Sequence, residues 1–429
     1  MNKENIKNNK VIYCAGKATK KLINGARYFS HHVSSLRYIS KNKRRVQKKI
    51  RNKEVLNVIF VVQYIPGWNK LEPIYDRMKN DNRFNPIIVC VPFNIQDHKL
   101  LDDDGNDTYE YFVQHGYETM NALNDDGSWL DLKELSPDYL FHSRPYNSVM
   151  PNCYISSKIV KYALICNVLY GASVTTDIRF SVINKDYYKD VYCFFAVDKG
   201  ECRYYNKRFN LGHILGITKS LPYGAIGLEQ MLNARTNRTK DQFRKKIIWT
   251  PRWSTDSKVG GSNFFNYKDV IIEFAKEYQD ILFIIRPHPL MFGNFIKTGE
   301  MSEQEVDKFK SYCNQQNNII LDESKEYANT FWNSDMLISD VSSIVPEYFI
   351  TKKPIIYCHS NINYKYTEFA DDMIHTCYEA FNEADLKKFV TDLINDSDDK
   401  LFEREKCLNV HFRDVQKNSS NILESLAGI

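Results

Sequence analysis

The chain has 429 residues with a formal net charge of +5, and its 43% hydrophobic and 14% aromatic content suffices for two domains of ordinary size. No run approaches the ~18 apolar residues that span a bilayer, and the Asn- and Lys-rich beginning lacks the apolar segment of a secretory signal. Ten scattered cysteines without a Cys-x-x-Cys pair argue against a zinc site or a disulfide framework and indicate a reducing cytosol.

The N-terminal arm, residues 1–54, holds 16 basic and 2 acidic residues, whereas the rest of the chain holds 42 basic and 51 acidic residues. Such a basic, helical arm attracts anionic lipid or nucleic acid, and the alternative is a solvated helix with no dedicated partner. Because nothing in the acidic body continues the basic surface, we expect an anionic membrane surface and no nucleic acid. Neighbouring apolar residues, including Leu36 and Ile39, are expected to supply an apolar side for that contact.

Residues 55–215 show apolar runs that alternate with helical stretches, which predicts an N-terminal α/β domain. Near-continuous apolar runs are typical of parallel strands buried on both faces. The predicted strands are 55–63, 86–91, 138–141, 162–169 and 192–197, and the predicted helices are 70–79 and 109–115. Glycines and a proline between residues 211 and 240 indicate a hinge.

Residues 216–395 repeat the alternation, and residues 396–429 close the chain as helices. The predicted strands are 246–249, 281–285, 319–321, 336–338 and 354–357, and the predicted helices are 267–277, 302–313, 326–334, 343–351, 384–395 and 400–408. Two Rossmann-like halves that face a cleft describe the GT-B architecture. Ligands in open α/β sheets bind beyond the carboxyl ends of the strands, so the turns at those ends are expected to meet.

One such turn carries Arg286 and His288, each followed by a proline, directly after a predicted strand. Two prolines that fix a cation and an imidazole suggest preorganisation for an anion, and the alternative is a rigid surface turn. A histidine titrates near neutrality and donates to phosphate when it is protonated. A further cation, Arg252, follows Thr250 and Pro251 at the end of another strand, and both Arg252 and Thr250 are candidates for binding the same anionic ligand.

A second turn, with Asp340, Ser342 and Ser343, lies where a strand hands over to a helix. Free N–H groups at a helix start suit phosphate, although the same residue types serve as ordinary helix caps. Glu347, one turn into the helix, is placed to accept from ribose hydroxyls or only to stabilise the helix dipole. The two turns together predict a site for a nucleotide diphosphate that needs no metal.

Two turns of the first domain are candidates for the acceptor side of the cleft. Tyr170 and Gly171 end one strand, and His142 and Arg144 follow another. The alternative for each turn is that its residues serve only in packing.

Four segments of the second domain carry a resemblance to a known family: 248–253, 262–265, 285–289 and 335–354. With these motifs the chain resembles the CDP-glycerol glycerophosphotransferase family, which includes teichoic-acid polymerases and related capsule-polymer transferases. The resemblance covers residues 245–360 well and the first half, from Val55, in outline.

The resemblance implies a GT-B enzyme that is peripheral at the cytoplasmic face of the cell membrane. Such an enzyme moves glycerol phosphate, or a related polyol phosphate, from a CDP-linked donor to a hydroxyl of a surface polymer or lipid-linked acceptor. The by-product is CMP. The family's phosphate-binding histidine falls on His288 and its accompanying base on Arg286. The hydroxyl pair that holds the diphosphate falls on Ser342 and Ser343, and the acidic residue of the next helix falls on Glu347.

The first domain departs from the family in one respect. The teichoic-acid members carry a His-Gly pair whose histidine is the general base, and this chain has Tyr170 and Gly171 there. Asp177, His142 and Tyr170 are the candidates for a replacement.

No cofactor is expected, since the aspartates at 102–104 lie in a polar loop that no strand leads into. Two other functions stay open. One is a GT-B glycosyltransferase that uses a CMP- or UDP-sugar in capsule or surface-glycan synthesis. The other is a non-catalytic scaffold that binds nucleotide or polymer.

Overall fold

The computed structural model describes residues 28–101, 106–169, 171, 172, 174–176, 185–236, 241–258, 260–324 and 327–428. In these segments, no helix combines the length and apolar character needed to cross a membrane. Two parallel sheets, one in each half of the chain, organise the molecule.

The strands of the first half are β1 (Leu56–Val62), β2 (Phe84–Cys90), β3 (Ile95–Gln96), β4 (Lys99–Leu100), β5 (Thr119–Asn121), β6 (Tyr139–His142), β7 (Leu164–Val168), β8 (Val191–Phe195) and β9 (Lys219–Leu221). Seven of them form a sheet in the order β5-β2-β1-β6-β7-β8-β9, and all its pairings are parallel. β3 and β4 form a separate antiparallel pair. Because β9 belongs to this sheet, the first sheet extends past the boundary predicted at residue 215.

The helices of the first half are α1 (residues 28–51), α2 (Ile65–Trp68), α3 (Glu72–Lys79), α4 (Asp107–Gln114), α5 (Ser156–Ile159), α6 (Lys185–Tyr188), α7 (Lys199–Arg208), α8 (Asn210–Ile214) and α9 (Ile226–Asn233). Short 3-10 turns lie at Asn147–Val149 and Asn152–Tyr154. Side chains cap some of these helices: the Asp198 carboxylate accepts from the backbone N–H of Glu201 at the start of α7.

The strands of the second half are β10 (Lys245–Thr250), β11 (Ile281–Ile285), β12 (Ile319–Leu321), β13 (Met336–Ser339), β14 (Ile355–Cys358) and β15 (Tyr378–Ala380). They form a parallel sheet in the order β12-β11-β10-β13-β14-β15. β10, β11, β13 and β14 consist almost entirely of buried residues, as expected for strands that helices cover on both faces.

The helices that follow are α10 (Phe264–Glu277), α11 (Met291–Thr298), α12 (Glu303–Gln315), α13 (Ala328–Asn333), α14 (Ile344–Phe349), α15 (Glu368–His375), α16 (Glu383–Ile394), α17 (Leu401–Phe412) and α18 (Asn418–Ala427), with a 3-10 turn at Val415–Lys417. Ser302 and Glu305 form a capping box at the start of α12. α18 returns to the first half, where Tyr139 donates to the Leu426 carbonyl at 2.8 Å and Arg83 pairs with Glu424.

Helix α1 packs against the first half, which corrects one expectation about the basic arm. Leu36 and Ile39 are buried in the core and therefore do not form an apolar side for a membrane. Three inward polar residues fix the helix in place: Asn42 donates to the Val160 carbonyl at 2.9 Å, Arg45 to the Pro137 and Tyr162 carbonyls, and Lys49 to Asp138 at 2.7 Å. Residues 1–27 of the arm lie outside the described residues.

Candidate active site

Three turns meet at the carboxyl edge of the second sheet, because β10 lies between β11 and β13. The turn after β10 carries Arg252, the turn after β11 carries His288, and the turn after β13 carries Asp340. The backbone N–H of His288 donates to the Pro251 carbonyl at 3.2 Å, and that of Arg252 donates to Asp340 Oδ2 at 2.8 Å. Hydrogen bonds therefore join the β10 turn to the turns on both of its sides.

The three joined turns form a frame, and the buried Asp340 side chain holds it together. Its residue is 1% exposed, and its carboxylate also accepts from the Asn263 backbone N–H at 3.1 Å and from Asn263 Nδ2 at 2.8 Å. Burial raises the pKa of Asp340 to about 6, against the opposing effect of these hydrogen bonds. The carboxylate is consequently ionised at neutral pH and fixes the backbone of the Arg252 turn.

Asp340 and Thr250 do not face the cleft, which corrects the direct donor contact predicted for both. Thr250 is buried, and its hydroxyl donates to Ser339 Oγ at 2.7 Å. Both side chains position the turns between β10 and β13.

Arg252 and His288 supply the basic side of the frame. Arg252 Nη1 donates to the Val341 carbonyl at 2.5 Å, so the guanidinium lies over the turn that leads to Ser342. His288 lies at the exposed rim, where its Nδ1 accepts from the Leu290 N–H at 3.1 Å, an arrangement that assigns the proton of the neutral ring to Nε2. Desolvation and then the charge of Arg252 lower the pKa of His288 to about 4. The imidazole is neutral at pH 7 until an anion binds beside it.

Ser343 is exposed and is the residue before α14, but its hydroxyl does not cap that helix. Ser342 Oγ accepts from the Ile344 N–H at 3.4 Å. Across the cleft lies Gly171: a Cβ at this position would lie 3.4 Å from Ser343 Oγ. The structure thus brings the predicted acceptor-side glycine next to the predicted donor-side serine, close enough that a Cβ at residue 171 would lie 3.3 Å from the Ser343 Cβ.

Arg286 turns away from this frame. Its Nη1 lies 2.6 Å from Asp322 Oδ2, its Nη2 donates to the Ser324 carbonyl at 2.6 Å, and its guanidinium lies 5.1 Å from the centre of the Tyr327 ring. Glu347 meets the same tyrosine, because Tyr327 donates its hydroxyl to Glu347 Oε2. Arg286 and Glu347 are therefore linked through Tyr327.

A buried ion pair joins the two halves at Glu347. Lys70, in the loop between α2 and α3, places its Nζ 2.8 Å from Glu347 Oε1, and both side chains are less than a tenth exposed. Gly227 lies against the pair, since a Cβ there would lie 2.6 Å from Lys70 Nζ and 2.9 Å from Glu347 Oε1. The position predicted for ribose recognition is already tied to the first half of the chain.

His142 is a core residue, so its assignment to the acceptor side is wrong. It is 2% exposed, its Nδ1 lies 3.2 Å from the Tyr187 hydroxyl, and its Nε2 lies 3.1 Å from the Tyr154 carbonyl. Burial lowers its pKa to about 4. Tyr170 and Asp177, the other two candidates for the general base, lie outside the described residues.

Sequence reasoning missed Lys70, Tyr327 and the role of Asn263. Lys70 is 277 positions from its partner Glu347, and no local pattern reports such a pair. Asn263 lies within a segment that carries the family resemblance and just before α10, where an asparagine reads as a cap. Its amide instead donates to Asp340 and to the His359 carbonyl at 3.2 Å.

Within the described ranges, no group of three or more His, Cys, Asp or Glu side chains is arranged to hold a metal ion. The aspartates at 102–104 lie outside these ranges.

Comparison with known proteins bears on the predicted family and on the fold. Residues 227–421 match the family model described as CDP-Glycerol:Poly(glycerophosphate) glycerophosphotransferase, which confirms the predicted resemblance. Among curated proteins, none matches the sequence of this chain.

Solved structures with a similar fold include MnaA from S. aureus with UDP (12% identity, TM-score 0.58, covering 87% of this chain and 96% of that one) and a putative UDP-N-acetylglucosamine 2-epimerase from Listeria monocytogenes (11%, 0.57, 87% and 96%). The wall teichoic acid polymerase TagF is also similar, with 14% identity, a TM-score of 0.53, and coverage of 94% of this chain and 97% of TagF. The fold is therefore GT-B, as predicted.

Proposed function

We propose that this chain, whose residues 227–421 match the CDP-glycerol:poly(glycerophosphate) glycerophosphotransferase family model, transfers glycerol phosphate from CDP-glycerol to a hydroxyl of a surface polymer or lipid-linked acceptor. The acceptor oxygen attacks the β-phosphorus of the donor and forms a new P–O bond. The bond from that phosphorus to the bridging oxygen breaks, and CMP leaves with the electron pair. The hydroxyl proton passes to a base, and the product is a phosphodiester.

The observation that carries the proposal is the frame in which Asp340 fixes the Arg252 turn beside His288. Phosphoryl transfer needs mainly positioning and charge stabilisation. Arg252 places a permanent positive charge next to the Ser342 turn. His288 presents Nε2–H to an anion and gains a proton when the diphosphate binds. Both groups act on the negative charge that develops on the leaving CMP.

Ser342 and Ser343 hold the diphosphate through their hydroxyls. Because α14 has only six residues, its peptide dipoles add little, and the hydroxyls and adjacent N–H groups of the turn make the contact. The opposition of Ser343 and Gly171 supports transfer at this point, since the acceptor reaches the donor along the first half's edge.

Glu347 accepts from the ribose hydroxyls in this proposal. A carboxylate has about four lone-pair sites, so Lys70 and Tyr327 leave it capacity for about two more donors. Arg286 acts indirectly, by holding the ring of Tyr327. Transfer proceeds without a metal ion, because the protein's own cations and hydroxyls meet the diphosphate.

The basic arm is proposed to hold the enzyme at an anionic membrane surface through one face of α1. Five exposed basic residues recur at intervals of four and three positions, which places them on one stripe of the helix: Arg37, Lys41, Arg44, Lys48 and Arg51. In the part of the chain that the structure describes, none of the five forms an ion pair. Their separation along the helix is about 21 Å at 1.5 Å per residue.

Donor recognition tests the proposed reaction. CDP-glycerol, CDP-ribitol, CMP-sialic acid and UDP-N-acetylglucosamine are compared by thermal shift in EDTA, with Ser342→Ala/Ser343→Ala and the exposed-helix control Ser311→Ala. We expect stabilisation by a CDP-polyol that the double variant loses and the control keeps. Phosphorus NMR with an acceptor then follows conversion of the diphosphate to a phosphodiester. Stabilisation by a sugar nucleotide alone would replace the proposal with a glycosyltransferase, and an unchanged donor would leave a binding scaffold.

Sedimentation with vesicles tests the membrane contact. Lys41→Gln/Arg44→Gln/Lys48→Gln is expected to lose binding to phosphatidylglycerol vesicles in low salt. Lys297→Gln/Lys308→Gln/Lys388→Gln, which removes three exposed lysines elsewhere, is expected to keep it. Equal losses of vesicle binding in the two triple variants would mean that the binding depends on net charge and not on the stripe.

A further inference from the structure

Arg144 lies two residues after β6 and is surrounded by three aromatic rings. Its guanidinium carbon is 5.2 Å from the centre of the Tyr64 ring, 5.4 Å from that of Phe93 and 5.7 Å from that of Tyr146. These rings come from the turns after three strands, β1, β2 and β6. We call this group the Arg144 cradle.

The cradle is held by the strand ends beneath it. Ser143 Oγ accepts from the backbone N–H groups of Gln63 at 3.0 Å and Tyr64 at 3.4 Å, and Gln63 Nε2 donates to the Pro92 carbonyl at 3.2 Å. The ends of β1, β2 and β6 are thereby tied together. Gly67 packs so closely that a Cβ there would lie 2.8 Å from the Ser143 carbonyl oxygen. The turn that carries Arg144 is fixed before any ligand arrives.

Among the described residues, no carboxylate pairs with Arg144 and no carbonyl accepts from it. Its guanidinium instead lies close to the three aromatic rings. Arg286 and Arg45, by contrast, are paired with a carboxylate and with a carbonyl, respectively. Phe93 is 49% exposed, so the cradle is open to solvent.

The cradle lies along the cleft edge of the first half. β6 pairs with β1 on one side and β7 on the other. Beyond β1, Lys70 contacts Glu347 of the second half, and beyond β7, Gly171 opposes Ser343. The turn after β6 starts about one strand spacing, ~4.8 Å, from each of these neighbouring turns. The turn that carries Arg144 therefore starts between the two strands whose following segments contact the donor half.

We propose that the Arg144 cradle is a subsite for a phosphodiester of the acceptor chain. The guanidinium presents a planar set of donors that matches a phosphate, and the ring faces pack against the glycerol or sugar carbons on either side of it. This inference rests on the proposed transferase function for the identity of the acceptor. It deepens that function, because it assigns the recognition of an acceptor phosphodiester to named residues of the first half.

Direct binding of tri(glycerol phosphate) to the full chain tests the subsite without a donor. Uncharged triglycerol is the matched ligand, Arg144→Gln removes the charge at similar length, and Arg144→Lys keeps the charge without the planar fork. Arg235→Gln is the matched control, since it removes an exposed arginine whose guanidinium lies 5.4 Å from the Trp332 ring centre. Phe93→Ala removes the exposed wall of the cradle and leaves Arg144 in place.

We expect Arg144→Gln to weaken tri(glycerol phosphate) binding by about tenfold or more, and Arg144→Lys and Phe93→Ala to weaken it by smaller factors. Arg235→Gln is expected to bind within about twofold of wild type, and triglycerol to bind none of the proteins measurably. With an active donor, Arg144→Gln should raise KM for the acceptor and leave KM for CDP-glycerol unchanged.

Three outcomes would overturn the subsite: unchanged binding in Arg144→Gln, an equal loss of binding in Arg235→Gln, or binding of triglycerol as tight as that of tri(glycerol phosphate). Arg144-dependent binding in a protein that never turns over CDP-glycerol supports the subsite and overturns the proposed function instead.

Discussion

In both halves of the molecule, hydrogen bonds join the turns after neighbouring strands, but two buried polar residues at these strand ends, Asp340 in the second half and His142 in the first, serve different purposes. Asp340 is buried, yet it fixes the backbone of Arg252, a residue at the cleft. His142 is buried to a similar degree, and both of its ring nitrogens are directed to core partners. A polar residue at a strand end therefore indicates a functional site only when its hydrogen bonds lead toward the cleft.

Two buried aspartates make the comparison sharper. Burial raises the pKa of Asp190 in the first half and of Asp340 in the second to about 6. Asp190 accepts from Ser35 of α1 and from Ser156 of α5, the latter at 2.7 Å, and so attaches two helices to the first half. Asp340 accepts mainly from the backbone of loops at the cleft. Equal burial and similar pKa values thus accompany one structural and one positioning role.

The largest effect is expected where the two halves are joined. Lys70→Met leaves the Glu347 carboxylate buried without its cation, and breaking a buried ion pair in this way costs about 3–5 kcal/mol of unfolding free energy. Urea unfolding measures the loss.

Lys70→Met/Glu347→Gln removes both charges and should recover part of that stability. Lys133→Met is the surface control, because its pairing with Asp131 is exposed and contributes little. An intact stability in Lys70→Met would mean that Tyr327 alone suffices to hold Glu347.

Loss of the imidazole at the rim should affect turnover more than binding. His288→Ala is expected to lower kcat for transfer from CDP-glycerol by about 10²-fold, since the ring acts on charge that develops at the leaving phosphate. His115→Ala, at an exposed position after α4, is the control and should keep full activity. Near-normal turnover in His288→Ala would remove this residue from the mechanism.

The strands that carry the site were predictable because β10, β11 and β13 each contain a continuous apolar run of three to five residues. β5, β9 and β15 were missed, since each has three residues and contains polar or charged ones, whereas β12, which is equally short, is wholly apolar and was predicted. The helix α11 was missed as well, because the residues before it read as a proline turn. Its boundary depends on Gly299, whose left-handed φ of 75° ends the helix.

The same limit applies to side-chain roles. The sequence placed Arg252, His288, Ser342 and Ser343 on neighbouring turns, because parallel strands present their carboxyl ends at one edge. It did not separate residues that face the cleft from those that support it, such as Asp340. That distinction depends on burial, which is set by segments far apart in the chain.

A third prediction substitutes the two buried aspartates in parallel. Asp340→Asn replaces an acceptor with a donor facing Asn263 Nδ2, so the Arg252 turn loses its fixed position and the affinity for CDP-glycerol should fall by about tenfold. Asp190→Asn should lower the melting temperature and leave donor affinity within about twofold. Calorimetric titration with thermal melts measures both quantities. If the two variants lose donor affinity equally, Asp340 has no positioning role beyond stability.

The smallest expected effect is the uptake of a proton by the protein when the donor binds. In the free protein the pKa of His288 is about 4, below its ordinary value, so at pH 5.5 the ring is almost entirely neutral. A bound diphosphate favours the charged form and raises this pKa back toward its ordinary value of 6.5, which gives an uptake of up to about 0.9 proton per CDP-glycerol at pH 5.5 and almost none at pH 8. Affinity through His288 therefore increases as the pH falls from 8 to about 5.5. Protonation of Asp340, whose raised pKa is about 6, acts in the opposite direction by loosening the Arg252 turn.

Calorimetry in buffers of different ionisation enthalpy, with His288→Ala measured alongside, separates the contributions of His288 and Asp340 to the proton uptake, because the variant retains only the Asp340 contribution. An uptake that persists in His288→Ala would place the proton elsewhere in the frame and restrict the imidazole to a neutral hydrogen bond.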